Sequence, residues 1–166
     1  VATADFSLSS FPYTLHTKNL RIGIAVAEWN NDITHALRDG AKEKLLQYGF
    51  NQHQIIILSI PGAFELPHAA QLLFRDQHVD AVIAIGCVVK GDTPHFEFVS
   101  QAATDGILRV GLDYGKPCIF GVLTTNTFEQ ARERAGGSLG NKGAEAATTA
   151  CWMLAAAQSL TELNTK

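Results

Sequence analysis

Four short, strongly apolar runs recur along this chain, and a helical stretch separates each from the next. They cover residues 20–27 (LRIGIAVA), 55–58 (IIIL), 81–87 (AVIAIGC) and 118–123 (CIFGVL). Each is too short for a buried helix; the first three read as buried strands and the last as a fourth strand. Between the first two, Ile33, Leu37, Ala41, Leu45 and Tyr48 form one helical stripe, stopped at Gly49. A strand–helix alternation of this kind predicts an α/β fold: a four-stranded parallel sheet with helices on both faces and right-handed crossovers.

The remaining elements follow from end signals. Asn30, Asn31 and Asp32 read as capping residues for the first helix. A second helix is expected over 65–76, with Pro67 tolerated in its first turn. A third is expected to open at Pro94 with Thr93 as N-cap and to reach residue 113. Thr127 followed three residues on by Gln130 is a capping box for a short helix to residue 135. Gly136, Gly137, Gly140 and Gly143 read as a flexible connection, and an alanine-rich helix closes the chain over 141–163. Residues 1–19, with Phe6, Leu8, Phe11 and Leu15 as scattered apolar anchors and Pro12 as an interruption, read as an arm that packs on something else. Residues 20–166 then read as one domain.

Composition removes several function classes. With 46% hydrophobic and 17% charged residues the chain is globular. A net charge of -3 and the lack of a basic run argue against nucleic acid. No apolar stretch reaches membrane-spanning length, so no membrane partner is expected. Cys87, Cys118 and Cys151 are far apart and read as buried thiols of a reducing compartment. No metal-ligand spacing occurs, so no metal is expected. The low charge and the alanine- and glycine-rich stretches hint at subunit interfaces.

In a parallel sheet all four strands end on one edge, where ligands bind. The loops there carry Glu28-Trp29-Asn30, Pro61-Gly62-Ala63-Phe64-Glu65, residues 88–95, and Thr124-Thr125-Asn126. Trp29 and Phe64 read either as packing or as stacking platforms for a flat ring. Glu65 either complements a helix dipole or accepts from ligand hydroxyls. His95, in the first turn of a helix whose amides favour an anion, reads as functional; His16, His35, His53, His68 and His78 read as surface residues. Lys90 reads as a solvated loop lysine. Arg134 and Lys142 flank the glycines and suit either a solvated turn or a phosphate or carbonyl oxygen. No P-loop, no dinucleotide fingerprint and no nucleophile elbow is present.

Four motifs in order carry a resemblance: Pro61-Gly62-Ala63-Phe64-Glu65-Leu66-Pro67, Gly91-Asp92-Thr93-Pro94-His95-Phe96-Glu97, Phe120-Gly121-Val122-Leu123-Thr124, and Arg134-Ala135-Gly136 with Gly140-Asn141-Lys142-Gly143-Ala144-Glu145. Over residues 20–160 the chain resembles the lumazine synthases. The resemblance implies a flavodoxin-like three-layer sandwich. It also implies a transferase of riboflavin biosynthesis that condenses 5-amino-6-ribitylaminouracil with 3,4-dihydroxy-2-butanone 4-phosphate to 6,7-dimethyl-8-ribityllumazine, releasing phosphate and water. No cofactor or metal is implied.

Carried over by position, the resemblance gives His95 the proton transfer, Arg134 the phosphate and Lys142 a pyrimidine carbonyl. Trp29 stacks on the pyrimidine, and Asn30 beside it is a further substrate-binding residue. Gly62, Ala63, Phe64 and Glu65 hold the ribityl chain. The Val88 and Val89 backbones meet the ring edge, and Asp92 and Thr93 offer backbone N–H and hydroxyl donors to the phosphate. Phe120 packs near the ring, and Glu145 is an accessory contact. Phe120, Arg134 and Lys142 are expected from a neighbouring subunit, since the implied site lies between subunits of a pentamer.

Trp29 stands where many members carry phenylalanine, Lys90 where arginine is frequent, and Ser138-Leu139 is an unfamiliar pairing. The connection over 136–143 lacks the insertion associated with pentamer-only forms, which permits a sixty-subunit capsid rather than a pentamer or decamer, whereas Pro12 opposes the strand pairing between subunits that capsids use. Riboflavin synthase is a further partner the resemblance admits. The expected compartment is the cytoplasm, or the plastid if the source is a plant. The competing class is a non-catalytic lumazine or flavin carrier; retention of His95 with Arg134 favours catalysis, since a carrier of a dephosphorylated ring needs no phosphate site.

Overall fold

A computed structural model describes residues 12–163. Its elements run β1 (Ile22–Ala27), α1 (Asn31–Gln47), β2 (Ile55–Ile60), α2 (Leu66–Gln77), β3 (Ala81–Val89), α3 (His95–Tyr114), β4 (Cys118–Thr125), α4 (Phe128–Glu133), β5 (Ala135–Gly137), β6 (Gly140–Asn141) and α5 (Lys142–Leu163). The sheet has strand order β2-β1-β3-β4, and every pairing in it is parallel. With helices on both faces this is the expected three-layer, flavodoxin-like α/β sandwich.

The two-residue period of the strands sorts their side chains between two cores. Ile22, Ile24 and Val26 of β1 and Ile83 and Ile85 of β3 face α1 and α5, against Leu37, Ala41, Leu45, Ala147 and Cys151. Ala25, Val82, Ala84 and Val122 face the other way, toward Leu66, Leu73, Ala103 and Ile107 of α2 and α3. This second face is built from small residues. A Cβ on Gly23 would stand 2.9 Å from Leu73 Cδ1, so α2 rides close to the sheet. Each fully buried isoleucine or leucine in these layers contributes roughly 1.5–3 kcal/mol.

The order of strands corrects one expectation. β2 is an edge strand and only half covered, leaving Ile57 41% exposed. Its apolar run resembles the central strands, but position in the sheet decides burial.

Boundaries fall close to expectation. Thr127 caps α4 by accepting from the Gln130 amide at 3.2 Å, while the Gln130 side chain reaches back one residue further, to the Asn126 amide at 2.9 Å. Gly49, at φ 92°, follows α1 in the left-handed region that glycine enters freely. Thr93 is not the cap of α3: Pro94 already has helical backbone (φ -62°, ψ -5°) and its carbonyl accepts from the Glu97 amide. The glycine-rich connection is not loose either. Ala135–Gly137 and Gly140–Asn141 pair as a small antiparallel hairpin against α1. Within the arm, Leu15 packs on the α1/α5 core, and the His16 backbone exchanges two hydrogen bonds with the Gln158 side chain, at 3.0 and 2.9 Å. Phe6, Leu8 and Phe11 lie outside the described residues. Among those described, no helix is long and apolar enough to cross a membrane.

Candidate active site

The chain passes from β1 to β2 on one side, then returns to the other side of β1 as β3. The gap beyond the carboxyl ends of β1 and β3 is therefore a topological switch point, where open α/β sheets hold ligands. A cleft of about 730 Å³ opens there. Trp29 and Asn30 enter it from β1, Gly62, Ala63, Phe64 and Glu65 from β2, Cys87, Val88 and Val89 from β3, and His95 and Val99 from α3.

One wall is aromatic and acidic. Trp29 is 73% exposed and Phe64 62%, so both rings present open faces. The Trp29 amide donates to the Pro61 carbonyl at 3.1 Å, carrying the β1–β2 pairing past the strand ends. A Cβ on Gly62 would stand 3.1 Å from Trp29 Cδ1 and 3.2 Å from Glu65 Oε2. Glycine thus lets an indole and a carboxylate share one wall. Opposite lie the Val88–Val89 backbone and His95, the first residue of the 20-residue helix α3. The N-terminal end of that helix favours negative charge.

Asn30 departs from its expected capping role. Its backbone is left-handed (φ 59°, ψ 45°) and its side chain makes no cap bond. Instead Nδ2 donates to the Cys87 carbonyl at 2.9 Å, across the switch point.

Nine residues expected at the site line this cleft, and six do not. Asp92 and Thr93 sit on the exposed loop before α3. Phe120 is in mid-β4, half-exposed. Arg134 donates from Nη1 to the Gln130 carbonyl at 2.8 Å, and its own carbonyl accepts from the Lys142 amide at 2.9 Å. Lys142 Nζ donates to both carboxylate oxygens of Glu145, at 2.7 and 2.8 Å. Lys142 and Glu145 thus form an ion pair joined to Arg134 through its backbone, and none of the three lines the cleft.

Three features went unread in the sequence. Cys87 and Val99 line the cleft; Val99 was detectable as the residue one turn after His95. His35, read as a surface residue, is half-buried, with Nε2 3.0 Å from Glu28 Oε2. A hydrogen bond from Ser59, and secondarily His35, holds the Glu28 carboxyl below its usual range.

Burial pushes the Cys87 thiol up to about 11 and those of Cys118 and Cys151 to about 12. The thiolate is the reactive form, so all three stay protonated at pH 8. Iodoacetamide at that pH is expected to leave the native protein unlabelled and to alkylate all three thiols once it is unfolded. Mass spectrometry reads the difference, and fast native labelling of any of them would contradict it.

A family model for 6,7-dimethyl-8-ribityllumazine synthase matches residues 19–158, a span containing every cleft residue and the Arg134–Lys142–Glu145 group. The chain belongs to the lumazine synthase family. It is 54% identical over 155 residues to a 6,7-dimethyl-8-ribityllumazine synthase of Porphyromonas gingivalis, covering 92% of this chain and 96% of that protein. Relatives of the same name come from Cytophaga hutchinsonii, 50% identical over 93% of this chain and 98% of the other, and Thermus thermophilus, 46% identical over 84% and 89%. For a lumazine synthase the division of polar groups matters: among the described residues, none lining the cleft is a lysine or arginine.

Proposed function

We propose that this cleft is where the chain, as an enzyme of riboflavin biosynthesis, condenses 5-amino-6-ribitylaminouracil with 3,4-dihydroxy-2-butanone 4-phosphate to 6,7-dimethyl-8-ribityllumazine. The observation that carries this reading is the convergence of an open indole face, a strand-end backbone, a carboxylate and an imidazole on one switch-point cleft. The indole of Trp29 supports the pyrimidine face. The Val88 and Val89 backbones meet its edge, and the segment 62–65 takes the ribityl chain, with Glu65 accepting from its hydroxyls. Asp92, Thr93 and the α3 N-terminus receive the phosphate.

Imine formation and β-elimination of phosphate both move protons near neutral pH, the task assigned to His95. Holding two reactants together in register supplies the rest. Arg134, Lys142 and Phe120 are assigned to the cleft of a neighbouring copy, where Arg134 pairs with phosphate and Lys142 reaches a pyrimidine carbonyl. Glu145 keeps the Lys142 ammonium in place.

The reading extends to assembly. An arm over residues 1–19 precedes one domain over 20–166, which associates as a pentamer and, through pentamers, as a sixty-subunit shell in the cytoplasm, with riboflavin synthase as a further partner. Exposed apolar side chains on α3 (Phe98, Leu108, Leu112) and α5 (Met153, Leu160) support burial against other copies. Light scattering tests this, and a pentamer-sized particle would refute the shell.

The reaction is tested by following lumazine absorbance with both substrates against the spontaneous background. Product well above background is expected. Background-level formation with a flavin or the ribitylated pyrimidine still bound would move the chain to the carrier class.

A further inference from the structure

Among the described residues, only Asn30 and His78 occupy the left-handed region without being glycine. His78 does so where that is common, at the C-terminal end of α2. Asn30 does so at the start of α1, where an N-cap residue is ordinarily extended and its side chain accepts from the helix amides. Asparagine tolerates this backbone better than other side-chain-bearing residues. Strain of this kind concentrates at functional sites.

The geometry shows what the departure accomplishes. On the β2 side, the Glu28 and Trp29 amides continue the ladder to the Ile60 and Pro61 carbonyls, at 2.8 and 3.1 Å. On the β3 side, the pairing of β1 stops at Val26 with Ile85. Beyond that pair the strands part and the cleft begins. The left-handed turn of Asn30 swings its amide across this gap, where Nδ2 donates to the Cys87 carbonyl at 2.9 Å. Trp29 immediately precedes Asn30 in the chain, and Val88 immediately follows Cys87.

We infer that Asn30 is a positioning residue: it ties the Trp29 wall to the Val88–Val89 wall, setting the angle between ring-face and ring-edge contacts before any ligand arrives. It acts through those walls rather than by touching the ring. The identity of the ring rests on the proposed function; the tie itself does not.

The test separates backbone from tie. Asn30→Gly keeps the left-handed backbone and loses the donor. Asn30→Asp keeps the shape and sets a carboxylate against the Cys87 carbonyl. The first readout is the near-UV circular dichroism of Trp29 in ligand-free protein. It is isolated by subtracting the spectrum of the same variant carrying Trp29→Phe, which leaves Trp152 in place. Both Asn30 variants are expected to lose the Trp29 band with an unchanged far-UV spectrum. The second readout is kinetic. KM for the ribitylaminopyrimidine is expected to rise about tenfold in Asn30→Gly, and further in Asn30→Asp, with KM for the butanone phosphate unchanged. A Trp29 band retained in both variants would overturn the inference. If the band were retained while the pyrimidine KM rose, Asn30 would be a substrate contact instead. Absence of turnover in the unmodified protein would refute the proposed reaction, while the Trp29 band would still decide the tie.

Discussion

Gly143→Ala is expected to destabilise the protein by about 3 kcal/mol, at the upper end of what overpacking a core produces. Gly143 lies where α5 crosses α1. A Cβ there would overlap the Leu37 carbonyl oxygen and stand 2.6 Å from its carbon and 2.9 Å from Leu37 Cα. All three are backbone atoms of a helix whose Leu37 side chain is fully buried, so no side chain can rotate away. The crossing is also locked by Asn141. Its Nδ2 donates to the Ala36 carbonyl at 2.9 Å, and its Oδ1 accepts from the Gly143 and Ala144 amides at 2.9 and 3.1 Å. Pushing the helices apart breaks that clasp and displaces Lys142, so activity should fall with stability. Gly115→Ala is the control. Gly115 has φ 60° but nothing within 4 Å of an added Cβ, so its cost is the left-handed backbone alone, about 1 kcal/mol. Thermal unfolding followed by circular dichroism compares them. A melting temperature for Gly143→Ala equal to or above that of Gly115→Ala would show that α5 can move off α1 at little cost.

The second large effect is a recovery. His95→Ala and Arg134→Ala are each expected to lower kcat/KM by about a hundredfold, one through lost proton transfer and the other through a lost charged hydrogen-bonding group. Co-expressed in equal amounts, the two inactive chains should regain activity at about a quarter of the sites, because a cleft taking His95 from one chain and Arg134 from its neighbour is intact in that share of random pairings. The expectation rests on geometry. His95 lines the cleft, whereas Arg134 is anchored on the Gln130 carbonyl beside Lys142. A phosphate dianion needs a cation, and a second chain is the source the proposed assembly offers. No recovery in the mixed protein would mean that Arg134 serves the cleft of its own chain or none. The single variants carry separate information. If His95→Ala kept nearly full turnover while Arg134→Ala abolished it, positioning would outrank acid–base chemistry, and the reverse would put the proton first.

Much of the fold is legible in the sequence alone. The four apolar runs became the four strands because a run of that length and composition has few other uses in a globular chain. Thr127 with Gln130 opened α4, and Gly49 ended α1, because caps and stops are settled by one or two residues. The loops at the strand ends converged because parallel strands all point one way.

What the sequence determined by itself was therefore what depends on neighbours along the chain and meets no competing partner: the strand and helix periods, the Thr127 cap, the Gly49 stop and the direction of the strands. What only the tertiary structure decided depends on residues far apart in sequence. The Ile55–Ile60 strand resembles β1 in composition, yet Ile57 is exposed because β2 lies at an edge. Asn30 reads locally as a cap, and only the arrival of the Cys87 carbonyl, 57 residues later, turns it into a tie across the switch point. Arg134 and Lys142 read as neighbours of a glycine-rich loop, and the packing of that hairpin on α1 holds them apart from the cleft. Each of these outcomes follows from where the sheet places a segment relative to its partners, which no local propensity encodes.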